Sequence, residues 1–270
     1  MTEIGVIGAG LLGGTLARQI AAAGHRVAVA NSRSPSTISD LAGDGVTVGW
    51  ANEVAASAEI LFLVLPYSAI PASAQMLAEF VPPRAIVVDA GNYYPGRDGA
   101  VPGLEDENPI PDTAWVAETI GRQVFKAFNS ITYTSLTNLR LPKGAPNRVG
   151  LPVAGAEGEA KQRLFELVDG IGFDPVDGGT LAQSWRQQPG SPIYCTDLPT
   201  VEVKRHLHEA KDEDAAAYRE NRRTYDDTTA AGYERIRSLR AQGLTFDAIL
   251  DAMAEDYEQT MMKVHEAQKK

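Results

Sequence analysis

Cysteine is all but missing. Cys195 is the only one in 270 residues, so no internal disulfide can form and no thiolate cage is available for a metal. Basic residues are outnumbered, 25 Lys and Arg against 35 Asp and Glu, and no basic cluster stands out. A nucleic-acid partner, whose phosphates need Lys and Arg, is excluded on that ground; one small anion pocket is not. No apolar run is long enough to cross a bilayer. No basic, apolar leader precedes Gly5, so the expectation is a cytoplasmic protein with no membrane partner. His206 and His208 stand two apart and would leave a helix in different directions, which gives no metal pair. Proline stops at Pro199. Val201 to Lys270 holds 27 charged side chains in 70 residues, against 33 in the first 200, the composition of a solvated helical segment.

What is present alternates. Glu3 to Ile7 reads as a buried strand, Leu11 to Ala23 as a helix, Arg26 to Ala30 as a second strand and Ser36 to Leu41 as a short helix. Ile60 to Leu65 and Ala85 to Asp89 are continuous apolar runs, as parallel strands buried on both faces require. Gln123 to Phe128 alternates more and belongs nearer an edge. Strand, helix, strand, repeated, predicts an α/β fold: a doubly wound parallel sheet of Rossmann type. Tyr93 to Pro111 is rich in Pro and Gly and reads as a long loop, a kind that is often functional.

The join of the first strand and helix, GVIGAGLLGG, contains G-x-G-x-x-G at Gly8, Gly10 and Gly13. The first glycine permits a tight turn, the second lets backbone approach a pyrophosphate, and the third lets the helix pack close to the sheet. The helix N-terminus, with Leu11 and Leu12, then faces the phosphates. An NAD site usually places Asp or Glu at the end of the second strand, to bind the ribose 2′-hydroxyl. Here the strand ends in Asn31-Ser32-Arg33-Ser34. Arg33 can pair with a 2′-phosphate and the three neighbours can donate to it, so the expected cofactor is NADP(H). The plainer reading of that stretch is a turn before a helix, with Ser34 or Ser36 as cap.

Three blocks carry a resemblance: GVIGAGLLGGTLARQIAAAGHRVAVANSRSP, VFKAFNSI (Val124 to Ile131) and AKQRLFELVDGIGFDPVDGG (Ala160 to Gly179). Together they resemble the NADP oxidoreductases that work with a deazaflavin coenzyme, over about Met1 to Leu181. The cytoplasmic oxidoreductase domain of membrane ferric reductases is similar too. The resemblance implies a Rossmann domain followed by a small second domain, and hydride exchange between NADP(H) and a flavin-like ring. It also implies that the AFN segment, with Asn129, lies near the nicotinamide. The long loop, the insert Ser184 to Asp197 (SWRQQPGSPIYCTD) and the charged tail depart from shorter members, in places where a substrate could sit.

Leu65, Pro66 and Tyr67 follow a strand at the edge where open α/β sheets bind ligands, and are expected to shape the cofactor pocket. Asn129 follows another such strand; it reads equally as a turn asparagine. Asp89 can be a simple cap. Hydride transfer between rings needs mainly positioning. Reduction of a small carbonyl or imine also needs a proton donor, for which Tyr67, Tyr194 and Asp197 are candidates beside Asn129. A lone cysteine is more often packing than nucleophile. The expected organisation is a NADP-binding domain (1–130), a small second domain with the substrate-side insert (131–199) and a helical tail (200–270). Apolar positions in the tail, among them Ile236, Leu239, Leu244, Ile249, Leu250 and Met253, are spaced as amphipathic stripes. They are expected to build a homodimer with the tail supplying much of the interface, ahead of folding back on the chain's own domain. The partner is expected to be a small-molecule substrate. A non-catalytic NADP-sensing protein is the reading from another class.

Overall fold

The computed structural model describes residues 2–105 and 109–256. Met1, three residues of the long loop and the end of the tail lie outside the described residues. In chain order the elements are β1 (Glu3–Ile7), α1 (Leu11–Ala22), β2 (Arg26–Ala30), a 3-10 stretch (Pro35–Leu41), β3 (Val46–Val48), α2 (Ala51–Ser57), β4 (Ile60–Leu63), α3 (Ile70–Phe80) and β5 (Ile86–Asp89). There follow α4 (Pro95–Asp98), α5 (Asp112–Ile120), β6 (Val124–Lys126), α6 (Tyr133–Asn138), β7 (Gly150–Val153), α7 (Glu159–Ile171), β8 (Asp174–Asp177), a 3-10 stretch (Leu181–Gln187), α8 (Thr200–Glu209), α9 (Asp214–Arg222) and α10 (Asp226–Ala241). Residues 246–256 are again helical.

The six strands β3-β2-β1-β4-β5-β6 form one sheet, parallel throughout. The order reverses between β1 and β4, which leaves a crevice above their C-terminal ends. Both faces of the sheet are covered. Ile4, Val6 and Phe62 point into one core and Ile7, Leu61 and Leu63 into the other, because successive side chains in a strand alternate. That is why these strands read as unbroken apolar runs. The run after Ile60 ends as a strand at Leu63, ahead of the turn at Pro66. The run after Gln123 ends at Lys126, because Phe128 enters the left-handed region at φ 60°. It is an edge strand, as its alternation suggests. The expected helix after Ser36 is a 3-10 stretch broken at Ile38.

Beyond β6 the chain makes a parallel pair, β7 with β8, covered by α7. A single antiparallel bridge, Lys126 with Ala154, joins this pair to the edge of the main sheet. Leu151, Leu164 and Ile171 continue the same core as Val6 and Phe62. In the tail, α8 lays Val203 and Leu207 against Val176 and Ile193. Leu239, Phe246 and Ile249 are buried in the core that covers α1, with Ile236, Leu244, Leu250 and Met253 packed against it. Phe246 sits over Gly14, where any side chain would collide with its ring. Of the two uses open to the tail's stripe, the structure shows the intramolecular one. Among the described residues no helix is long and apolar enough to cross a membrane.

Candidate cofactor and substrate site

The glycine-rich turn divides its three glycines by geometry. Gly8 holds φ 117° and lies against the Val64 backbone, so a Cβ there would overlap the Val64 carbonyl. A Cβ on Gly13 would fall inside the Gly8 carbonyl oxygen, which is how α1 comes so close to the end of β1. Gly10 has nothing within 4 Å of where its Cβ would be. It is the N-cap of α1, it has no side-chain cap, and the first turn carries no acid. A helix N-terminus left open in this way attracts phosphate. Leu11 is buried and Leu12 half-buried, so their backbone amides, not their side chains, face that opening.

At the end of β2, Asn31 is occupied by the turn. Its Oδ1 accepts from the Arg33 amide at 2.9 Å and its Nδ2 donates to Thr37 Oγ1 at 2.8 Å. Ser34 caps the following 3-10 stretch, at 3.4 Å from the Ser36 amide. Ser32 and Arg33 are exposed, and the Arg33 side chain has no partner among the described residues. The four residues therefore split: Asn31 and Ser34 shape the turn, while Ser32 and Arg33 face outward from it. The turn is tied from behind by Asp40, which accepts from Arg240 Nη1 at 2.9 Å and from the Phe246 amide.

Across the crevice, Leu65 and Pro66 are half-exposed at the end of β4. Tyr67 is fully buried. Its hydroxyl donates to Asp89 Oδ2 at 2.6 Å and its ring stacks on Trp115, 5.8 Å between centroids. Burial first, then the Asp89 charge, push this phenol well above its ordinary range. It is a structural phenol and not a proton donor facing the crevice. Asp89 is more than a cap. It also accepts from Thr113 Oγ1 at 2.6 Å and from the Gly91 amide at 2.9 Å, and it lies 3.6 Å from Lys126 Nζ. Lys126, wholly buried in β6, donates to Thr113 Oγ1 at 2.8 Å. A lysine in a buried strand requires such a partner. That requirement was the signal available in VFKAF, and it singles out a residue the strand reading passes over.

Phe128 stacks edge-on against Phe62 at 5.7 Å, and its left-handed backbone turns Asn129 inward. A bulky residue with positive φ is rare and tends to mark a site. Asn129 is buried and fully used. Its Nδ2 donates to Asn92 Oδ1 at 3.0 Å and to the Gln187 carbonyl at 2.6 Å; its Oδ1 accepts from Gln187 Nε2 at 2.9 Å. Asn92 Nδ2 returns a bond to the Asn129 carbonyl at 2.9 Å. Asn129 thus locks the insert and the long loop to the sheet edge, a positioning role. Asn92 and Gln187 are the partners that sequence spacing does not reveal: Asn92 directly precedes the long loop, and Gln187 lies in the insert.

The other candidates lie on the insert. The Tyr194 hydroxyl is bonded to that of Tyr94, from the long loop. Burial, then the neighbouring Tyr94, raise Tyr194 well above its ordinary range, so it is a neutral phenol. Asp197 accepts from Ser135 Oγ at 2.7 Å and holds φ 52°. Burial pushes the Cys195 thiol up to about 12, which leaves it a packing group at neutral pH.

A parallel sheet in this order, with an open glycine turn at the end of β1, defines a Rossmann-type fold, the class in which dinucleotides are bound at such a turn. The profile of the family described as NADP oxidoreductase, coenzyme F420-dependent, matches residues 3–93. The chain is 31% identical to a hypothetical protein, SMa0349, of Sinorhizobium meliloti, with TM-score 0.61 over 74% of this chain and 96% of that one. It belongs to this NADP oxidoreductase family. A structure from Arthrobacter sp. FB24, whose name is that of an F420-dependent NADP reductase, shares the fold at 23% identity and TM-score 0.57, over 68% of this chain and 87% of that one. The Escherichia coli (strain K12) protein YjhV is 44% identical over 72 residues, 27% of this chain and 53% of its own. That match spans about half the length of YjhV.

Proposed function

We propose that the chain exchanges hydride between NADP(H) and a deazaflavin or flavin. The observation that carries the reading is the pairing of an open Gly10 after β1 with an outward, unpartnered Arg33 after the neighbouring β2. In this reading Gly8, Gly10 and Gly13, with the amides of Leu11 and Leu12, hold the pyrophosphate. Ser32 and Arg33 hold the 2′-phosphate, with Asn31 and Ser34 fixing their turn. Leu65 and Pro66 wall the nicotinamide side, and Asn129 positions the insert that covers it. The bound nicotinamide would supply the hydride. The protein's part is alignment and exclusion of water, which suits a transfer between two rings.

Reduction of a small carbonyl or imine needs a poised proton donor besides. Tyr67 is committed to Asp89 and Tyr194 to Tyr94, so neither supports that second reading strongly. The test is NADPH oxidation against a deazaflavin, flavins and a panel of carbonyls and imines. Turnover confined to the ring acceptors supports the proposal; turnover confined to carbonyls or imines rejects it. No turnover with saturable NADPH binding leaves the sensor reading. We also place the protein in the cytoplasm as a homodimer. Since the tail's stripe is covered internally, Val201, Tyr225 and Tyr233 are the large apolar tail side chains left exposed among the described residues for a dimer contact.

A further inference from the structure

Between the long loop, the insert and α9 lies a cavity of about 120 Å³, lined among others by Ile110, Asp112, Trp185, Gln188, Arg219 and Arg222. A single water needs roughly 10–15 Å³ of such space, so this one takes a small organic group. Its polar lining is unusual in what goes unused. Gln188 Nε2 and Arg222 Nε are both buried with no hydrogen-bond partner, on residues exposed by only 6% and 5%. Buried donors are normally satisfied, and each exception asks for an explanation. Arg219, half-buried at the same wall, has no hydrogen bond or ion pair.

The charges decide the class of ligand. Asp112 is already engaged: its Oδ1 lies 3.3 Å from Arg222 Nη1 and its Oδ2 accepts from the Tyr93 amide at 3.3 Å. Arg222 is further fixed by Tyr93, whose ring lies 4.8 Å under its guanidinium. Asp112 and Arg222 offset one another, and Arg219 remains as a cation of the described lining without an ion pair, with Glu105 and Glu220 on the other side of the same arginines. Three sets of N–H groups without acceptors, around one positive charge, call for a ligand that only accepts and carries one negative charge. The walls are built to last: Gly190 of the insert is pressed onto the α9 backbone at Tyr218 and Arg222, and Trp185 packs on Tyr218 at 5.8 Å.

We propose that this cavity binds the carboxylate of a small organic acid, held by Gln188, Arg219 and Arg222. Gln187, next in sequence to Gln188, is bonded to Asn129, so the wall of the cavity and the Asn129 network share one stretch of backbone.

The test is made on the full chain without NADPH. Acetate, propionate and inorganic phosphate are titrated at pH 7 by calorimetry and by Trp185 fluorescence, with Trp185→Phe as the optical control. The carboxylates are expected to saturate one site. Arg219→Gln, which breaks no contact in the fold, and Gln188→Leu should each weaken them about tenfold or more, with NADPH affinity unchanged. Absence of saturable binding, binding indifferent to both substitutions, or phosphate binding tighter than either carboxylate would each overturn the proposal. Loss of the NADP(H) reading by Arg33 substitution would leave the carboxylate titration untouched, so the two failures are separable.

Discussion

Asp40 and Arg240 are 200 residues apart in sequence and joined at 2.9 Å. Asp40 lies in the last turn of the 3-10 stretch that begins two residues after Arg33, and Arg240 in the last turn of α10, so the tail holds the turn that would read the 2′-phosphate. Asp40→Asn should raise the Kd for NADPH several-fold while changing NADH little. A titration with both nucleotides measures this; equal weakening would mean that the contact only supports the fold.

The same pair gives a pH dependence. Burial pushes the Asp40 carboxyl up, but the Phe246 amide and Arg240 together outweigh it and hold it below its ordinary value of 3.8. A carboxylate depressed in the folded state stabilises above its unfolded pKa and loses that contribution as pH falls through the folded one. Stability from Asp40 is therefore full at neutral pH and is lost only below about pH 4. Acid denaturation of Asp40→Asn, compared with wild type, should show a shallower loss across that window.

Arg33→Ala should weaken NADPH about tenfold or more, since a charge-assisted contact is worth roughly 1.5–3 kcal/mol. NADH, without the 2′-phosphate, should be nearly unaffected. Equal loss for both, by fluorescence titration, would remove the assignment.

The glycines make a paired prediction. Gly10→Val meets no neighbour, so it should keep the wild-type melting temperature and lose NADPH binding. Gly13→Ala drives a methyl into the Gly8 carbonyl and should cost about 1–3 kcal/mol of stability. Melting curves and nucleotide titration on both proteins separate a phosphate cradle from a merely tight turn.

Asn129→Ala leaves Asn92 and Gln187 without their shared partner. Each stranded buried group costs about 1–3 kcal/mol, so the melting temperature should drop and kcat fall with the cover misplaced. Asn129→Asp, which buries a carboxylate oxygen against Asn92 Oδ1 and the Gln187 carbonyl, should cost at least as much. An Asn129→Ala protein with wild-type stability would show that the network is slack.

The first strands were legible because both faces of each are buried and apolar, which leaves little else for ILFLVL or AIVVD to be. β3 and the β7–β8 pair were not. Val46–Val48 is three residues long with a threonine at its centre, and GLPV and DPVD carry Gly or Pro where a strand signal would stand. The glycine turn was readable because its chemistry is local. Asn129 was readable as a position but not as a hub, since Asn92 and Gln187 come from distant loops. Lys126 was hidden by a rule of thumb that puts lysine outside. The tail's stripe showed that something must cover it, and spacing alone does not distinguish the chain's own α1 from a second copy.

Phe246 over Gly14 has a bearing on how the protein is made. Helix α1 leaves the ribosome well before the ring that covers its Gly14 face, which is 232 residues downstream. Contacts of such long range form slowly, and here the partner is made only after both sheets have been. Until then the nascent nucleotide-binding half carries a bare apolar groove along α1, open to chaperones, and its second strand's turn hangs untethered. The α1 face and the turn after β2 are completed together, when the tail arrives.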